Sequence, residues 1–162
     1  MIIVSVDCDP TLECPNKKLV INLAESVLNK YEAPGGNISF IFGSDELLSN
    51  LKKEFFQRDH WTDVIAFRLN EYDEKNVEGE IYISLPRANE NAISFGEPYD
   101  KEVARLIIHG CLHLVGFNDE SENKKAANYI NNPPPFTSFF VVFLNYSELS
   151  LVISGQSLVI SN

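Results

Sequence analysis

The run from Lys101 to Val115 is the most apolar helical segment of the chain, opened by Asp100 and closed by Gly116, a residue suited to a left-handed stop. A helix of that composition has to be largely buried, so the rest of the chain must supply the surfaces that cover it. It also carries two polar rings. His109 and His113 are spaced i, i+4, which sets both imidazoles on one helix face, close enough to hold one divalent ion. Burying such rings without partners costs energy. They are read either as hydrogen-bonded structural histidines or as metal ligands. The sequel Gly116-Phe117-Asn118-Asp119 favours the second reading, because a carboxylate after a helix stop can fold back to the open side of the pair. Two imidazoles and one carboxylate form a common three-ligand zinc set with a fourth position open for water. Asp119 has the alternative role of capping a short following helix.

The neighbours of the pair narrow the chemistry. Cys111, two residues from each histidine, points away around the helix and is not a ligand. Gly110 stands where the peptidase motif His-Glu-x-x-His carries its general base, so zinc-peptidase chemistry of that type is excluded. A metal acting on a phosphoryl oxygen and on its own water stays open.

The segments around this helix alternate between two periods. Met1 to Val6 reads as a strand broken by Asp7, and Ile38 to Phe42, Thr62 to Phe67 and Ile81 to Leu85 read as three more. Between the first two lies an amphipathic helix starting near Pro15, with Leu19, Val20, Leu23, Val27, Leu28 and Tyr31 on one face and Pro34-Gly35-Gly36 ending it. Ser44, followed by Asp45 and Glu46, caps another helix whose expected core face is Leu47, Leu48, Leu51 and Phe55. The charged stretch Arg68 to Glu78 is either a hairpin loop or a mobile flap. The expected fold is α+β: one domain, a mixed sheet of about four strands packed with helices, and the metal site on the buried HxxxH helix.

Past Asn128 the character changes. From Ile130 to Asn162 the only charged side chain is Glu148, Pro133 to Pro135 stops any helix, and Phe139 to Leu144 is wholly apolar. We therefore expect residues 1–128 to be the functional domain and residues 129–162 an atypical apolar tail, replaced by a frameshift or otherwise. The alternative is a genuine extension whose strand Phe139 to Leu144 packs on the domain. The tail is a poor membrane span, because Asn145, Ser147, Glu148 and Ser150 interrupt it.

Charge and cysteines bound the setting. With 13 Lys and Arg against 23 Asp and Glu, the net charge of −10 disfavours non-specific adhesion to nucleic acid or an anionic membrane. An RNA groove would have to be lined by Lys52, Lys53, Arg58, Arg87, Lys101 and Arg105. Asp7 and Asp9 fall inside what would be the apolar stretch of a signal peptide, so export is not expected. Cys8, Cys14 and Cys111 match no disulfide or metal spacing, which points to a reducing, cytoplasmic setting.

The run His109-Gly110-Cys111-Leu112-His113-Leu114-Val115-Gly116-Phe117 resembles the H-G-x-L-H-L-x-G-[YF] signature of the YbeY family, metal-dependent endoribonucleases. Asp59 with Thr62-Asp63-Val64-Ile65-Ala66-Phe67 and Gly79-Glu80-Ile81-Tyr82-Ile83-Ser84 are similar to two further family blocks, and the resemblance spans about Met1 to Asn128. It implies a zinc-dependent, single-strand-specific endoribonuclease acting in 16S rRNA 3′-end maturation and ribosome assembly. One zinc ion per chain would be held by His109, His113 and Asp119. The implied partners are ribosomal RNA and the small ribosomal subunit, with no membrane. Two positions depart from the family: Asp119 stands where a third histidine is usual, and Phe56 where an arginine is usual. Arg58 or Arg87 could stand in for that arginine, each with a solvated surface residue as its other reading; Arg87 is the candidate to stabilise the phosphate, and no general base is named. Asp63 is expected simply to begin a strand. A metal-dependent hydrolase of a non-RNA substrate and a non-enzymatic ribosome-assembly factor are the competing functions.

Overall fold

A computed structural model of the chain describes residues 1–56, 61–117, 151–153 and 156–158. The chain divides into two compact units, Met1–Gly116 and Phe117–Asn162. Arg58, Asp59, His60, Asp119, the expected boundary at residue 128 and the expected strand Phe139 to Leu144 lie outside the described residues. In the second unit two short strands, Leu151–Ile153 and Gln156–Leu158, pair antiparallel.

The first unit follows the order β1 (Ile2–Cys8), α1 (Lys17–Lys30), β2 (Gly36–Gly43), α2 (Asp45–Phe56), β3 (Val64–Arg68), β4 (Val77–Ser84), α3 (Leu85–Phe95) and α4 (Tyr99–Leu114). Its four strands make one mixed sheet in the order β1-β2-β4-β3. β1, β2 and β4 run parallel, and β3 returns antiparallel to β4. This is the α+β architecture expected from the alternating periods.

Helix ends follow local chemistry. The Asn16 side chain accepts from the backbone N–H groups of Lys18 and Leu19 and starts α1, whose Val20, Leu23, Ala24, Val27 and Leu28 are buried. Ser44 Oγ accepts from Leu47 N at the start of α2, as its sequence implied. α4 buries nine of its sixteen residues, among them Leu106, Ile107 and Leu114. It lies on one face of the sheet, where a Cβ added at Gly110 would sit 2.5 Å from Ile81 Cγ2 and one at Gly79 would sit 2.6 Å from Leu114 Cδ2. Those two glycines let helix and sheet approach closely.

Five expectations need correction. β1 does not stop at Val6; Asp7 and Cys8 continue the ladder opposite Ile41 and Phe42, because Asp7 falls on the exposed alternation of an edge strand. Leu85 is not a strand residue. It opens α3, a helix missed in the sequence although Ser84 caps it, Pro86 lies in its first turn and Gly96 ends it at φ +66°. The core face assigned to α2 shrinks to Leu48, with Leu47 and Leu51 half-buried and Phe55 59% exposed. Cys8 and Cys14 form a disulfide, since the turn that brings Leu12 N onto Asp9 O folds the loop after β1 back on itself. Asp63 does more than open a turn, as described below. The charged stretch after β3 is a hairpin loop.

Candidate metal site on the fourth helix

α4 sorts its residues by side. Cys111 faces the core, and burial pushes its thiol well above the usual range, so it stays protonated and away from any ligand set. His109 and His113 lie on the half-buried flank. Their Nε2 atoms are 2.9 Å apart and their rings meet edge to face at 4.5 Å. Two nitrogens aimed at one point suit either a hydrogen bond between a donor and an acceptor tautomer or a shared ion. In tetrahedral zinc, nitrogens about 2.0–2.1 Å from the metal lie roughly 3.3 Å apart, so the pair needs to open by only a few tenths of an ångström. The donor set fits a zinc ion. Among the described residues no group of three or more His, Cys, Asp or Glu side chains forms a complete metal site. Asp119, the expected third ligand, lies outside the described residues.

The packing also explains the residue between the histidines. Any side chain at position 110 would collide with Ile81 on β4, so the glutamate of a peptidase motif has no room there.

Just before the pair, α4 carries an ion network that sequence reasoning missed. Glu102, 3% exposed, accepts from Arg105 Nη2 at 2.7 Å, from Arg105 Nε at 2.8 Å and from Asn91 Nδ2 at 3.1 Å. Asp63, ahead of β3, accepts from Asn91 Nδ2 at 3.0 Å and from Arg105 Nη2 at 3.2 Å. The hydrogen bonds to Glu102 hold the Arg105 guanidinium firmly charged against its partial burial. The network ties α3, α4 and the approach to β3 together one turn before His109. Its one legible signal was the i, i+3 spacing of Glu102 and Arg105.

Arg87 stands elsewhere, in the first turn of α3. Its guanidinium pairs with Asp45 at 3.0 Å and Glu90 at 2.7 Å and lies 5.4 Å from the centre of the Trp61 ring. Among the described residues its buried Nε meets no acceptor. Lys101 pairs with Glu97, so Arg87, Lys101 and Arg105 of the expected basic lining are already matched by carboxylates. Phe56 stacks on Phe67 at 5.8 Å, and Phe55 and Tyr82 also contact that ring. The cavity at the ends of β1 and β2 is lined by Asp7, Asp9 and Ser44 among others, and its lining includes neither histidine nor Arg87.

The helix with its histidine pair falls within residues 10–129, which match the family model described as Endoribonuclease YbeY. The chain belongs to the YbeY family. It is 39% identical over 113 residues to Endoribonuclease YbeY of Amoebophilus asiaticus, covering 70% of this chain and 76% of that protein. To Endoribonuclease YbeY of Parabacteroides distasonis it is 37% identical over 118 residues, covering 72% and 81%. The solution structure of TM1509 from Thermotoga maritima matches 83% of this chain and 99% of its own, with a TM-score of 0.50 and 25% identity. This YbeY-family chain thus shares its sequence with relatives named as endoribonucleases and its fold with TM1509. Among the described residues no helix is long and apolar enough to cross a membrane.

Proposed function

We propose that this chain is a zinc-dependent endoribonuclease that cuts unpaired RNA, acting in the cytoplasm on ribosomal RNA of the small subunit during 16S 3′-end maturation. The observation that carries the reading is the convergence of His109 and His113, Nε2 to Nε2, on a helix inside the family match. His109, His113 and Asp119 would hold one zinc ion. Bound there, zinc would supply Lewis acidity toward a phosphoryl oxygen and a water of lowered pKa. The chain's own part is to fix the two imidazoles: α4 is locked to the sheet through Gly110 and Gly79, and the Glu102–Arg105–Asp63 network holds it one turn earlier. Arg87 is the candidate to receive the phosphate. Its pairs with Asp45 and Glu90 weaken that role by matching its charge, and its Nε is buried.

The test loads purified wild type and His113→Ala with zinc, measures metal by elemental analysis, and assays cleavage of single-stranded and duplex RNA with and without chelator. One ion per wild-type chain and cutting of the single strand alone, both lost in His113→Ala, are expected. Cutting should fall as salt rises, because in a chain of net charge −10 binding of RNA has to rest on the cations that meet phosphate. Wild type without metal after loading removes the reading. The acidic balance, a net charge of −10, favours a second reading, a metal-dependent hydrolase of a non-RNA substrate; metal binding without RNA cleavage would select it.

A further inference from the structure

The C-terminal carbonyls of a helix have no partner within it, and Leu114 ends α4 directly after His113. Its carbonyl is bound from far away in sequence, by Arg68 Nη1 at 2.7 Å. The same guanidinium also holds the hairpin loop between β3 and β4. Nη2 donates to the carbonyls of Glu71, Glu74 and Asn76 at 3.0–3.2 Å, and Nε donates to Asn70 Oδ1. Tyr72 from that loop lies 5.2 Å below the guanidinium. The same ring reaches Gly116, where an added Cβ would sit 3.5 Å from its Cδ1. One planar cation therefore joins three things: the hairpin, the last turn of α4 and the left-handed residue by which the chain leaves it. A positive charge at this end also opposes the helix dipole.

We infer that Arg68 is a positioning residue for the His109–His113 pair, fixing the end of α4 so that the two imidazoles keep one geometry toward a metal. The inference rests on the zinc reading above, and it names a residue outside the ligand set. Lysine cannot replace it, since a single ammonium cannot span five acceptors spread over two segments.

The experiment measures zinc affinity of the full chain by competition with a chromophoric chelator. Wild type, Arg68→Gln, Arg68→Lys and Asn70→Ala are compared at a temperature where circular dichroism shows each to be folded. Hydrogen exchange at the amides of Val115 and Gly116, which bond back into α4, is followed in the metal-free proteins. Both Arg68 variants should lose about tenfold or more in zinc affinity, as residues supporting metal ligands do, and should exchange faster at both amides. Asn70→Ala loosens the hairpin but leaves Arg68 on Leu114, so its zinc affinity should stay within about twofold. Arg68 variants that bind zinc like wild type, whatever their melting temperature, would make Arg68 a hairpin brace only and overturn the inference. An equal loss in Asn70→Ala would overturn it too, by assigning the effect to the loop. If wild type itself binds no zinc, the metal reading fails, and the positioning role goes with it.

Discussion

α2 and α4 announce themselves in the sequence by the same period, yet they meet opposite fates. α4 is enclosed by the sheet, α1 and α3 and buries nine residues, whereas α2 buries Leu48 alone and leaves Phe55 and Phe56 half in solvent. Period reports which residues share a helix face; whether that face is covered depends on where the helix lands on the sheet. The candidate site sits on the covered helix, which suits chemistry that requires fixed geometry.

The comparison breaks most easily in the core. Leu106, fully buried in α4, should cost about 2–5 kcal/mol when replaced by Ala, whereas Leu51→Ala in half-buried α2 should cost about 1 kcal/mol or less. Chemical denaturation of both variants measures the gap. Equal losses would mean that α2 is covered as fully as α4.

Charge gives the next contrast. Glu102→Gln leaves Arg105 facing an amide in a buried setting, and the loss of its charge-assisted hydrogen bonds should cost about 1.5–3 kcal/mol. Glu46→Gln on the exposed side of α2 should stay within about 0.5 kcal/mol. A Glu102 variant as stable as the Glu46 variant would dissolve the network as a structural element.

Close packing gives a third. Gly110→Ala pushes a methyl into Ile81 and should cost about 1–3 kcal/mol in denaturation. Ile81→Ala in the same chain removes the colliding Cγ2, so the two costs should add to less than their sum.

The legible part of the molecule was the part written in local pattern. The four strands, α1, α2 and α4, the Gly116 stop and the facing histidines all follow from period, caps and the i, i+4 rule. α3 was hidden because Leu85 extends the apolar run of β4, although Ser84, Pro86 and Gly96 carried its boundaries. The rest is long-range. Arg68 bonds mainly to backbone carbonyls, which leave no trace in residue identity, and the reach of Asp63 to Arg105 spans 42 positions. The Cys8–Cys14 pair was discounted on spacing, when a turn at Asp9 was enough to close it.

The smallest expected effect concerns the first residue of α4. Tyr99 donates its hydroxyl to the Glu13 carbonyl at 2.8 Å, and partial burial, with Glu13 and Asp100 nearby, pushes its pKa up to about 12. Tyr82 is raised to about 12 by burial and by its hydrogen bond to Glu80. Both raised values favour the neutral phenol in the folded state. Their contribution to stability is therefore fully present below the unfolded value near 10 and is lost as pH rises from there through 12. Absorbance at the phenolate band should show a late phase near pH 12 from both groups, and subtracting the Tyr99→Phe curve isolates one of them. The isolated curve should be centred well above the ordinary phenol range, and Tyr99→Phe should lose less stability than wild type over the same alkaline window. If Tyr99 instead ionised near 10 in the folded chain, the start of α4 would be as open as α2. The enclosure that separates the two helices would then begin only at the Glu102 network, one turn further along.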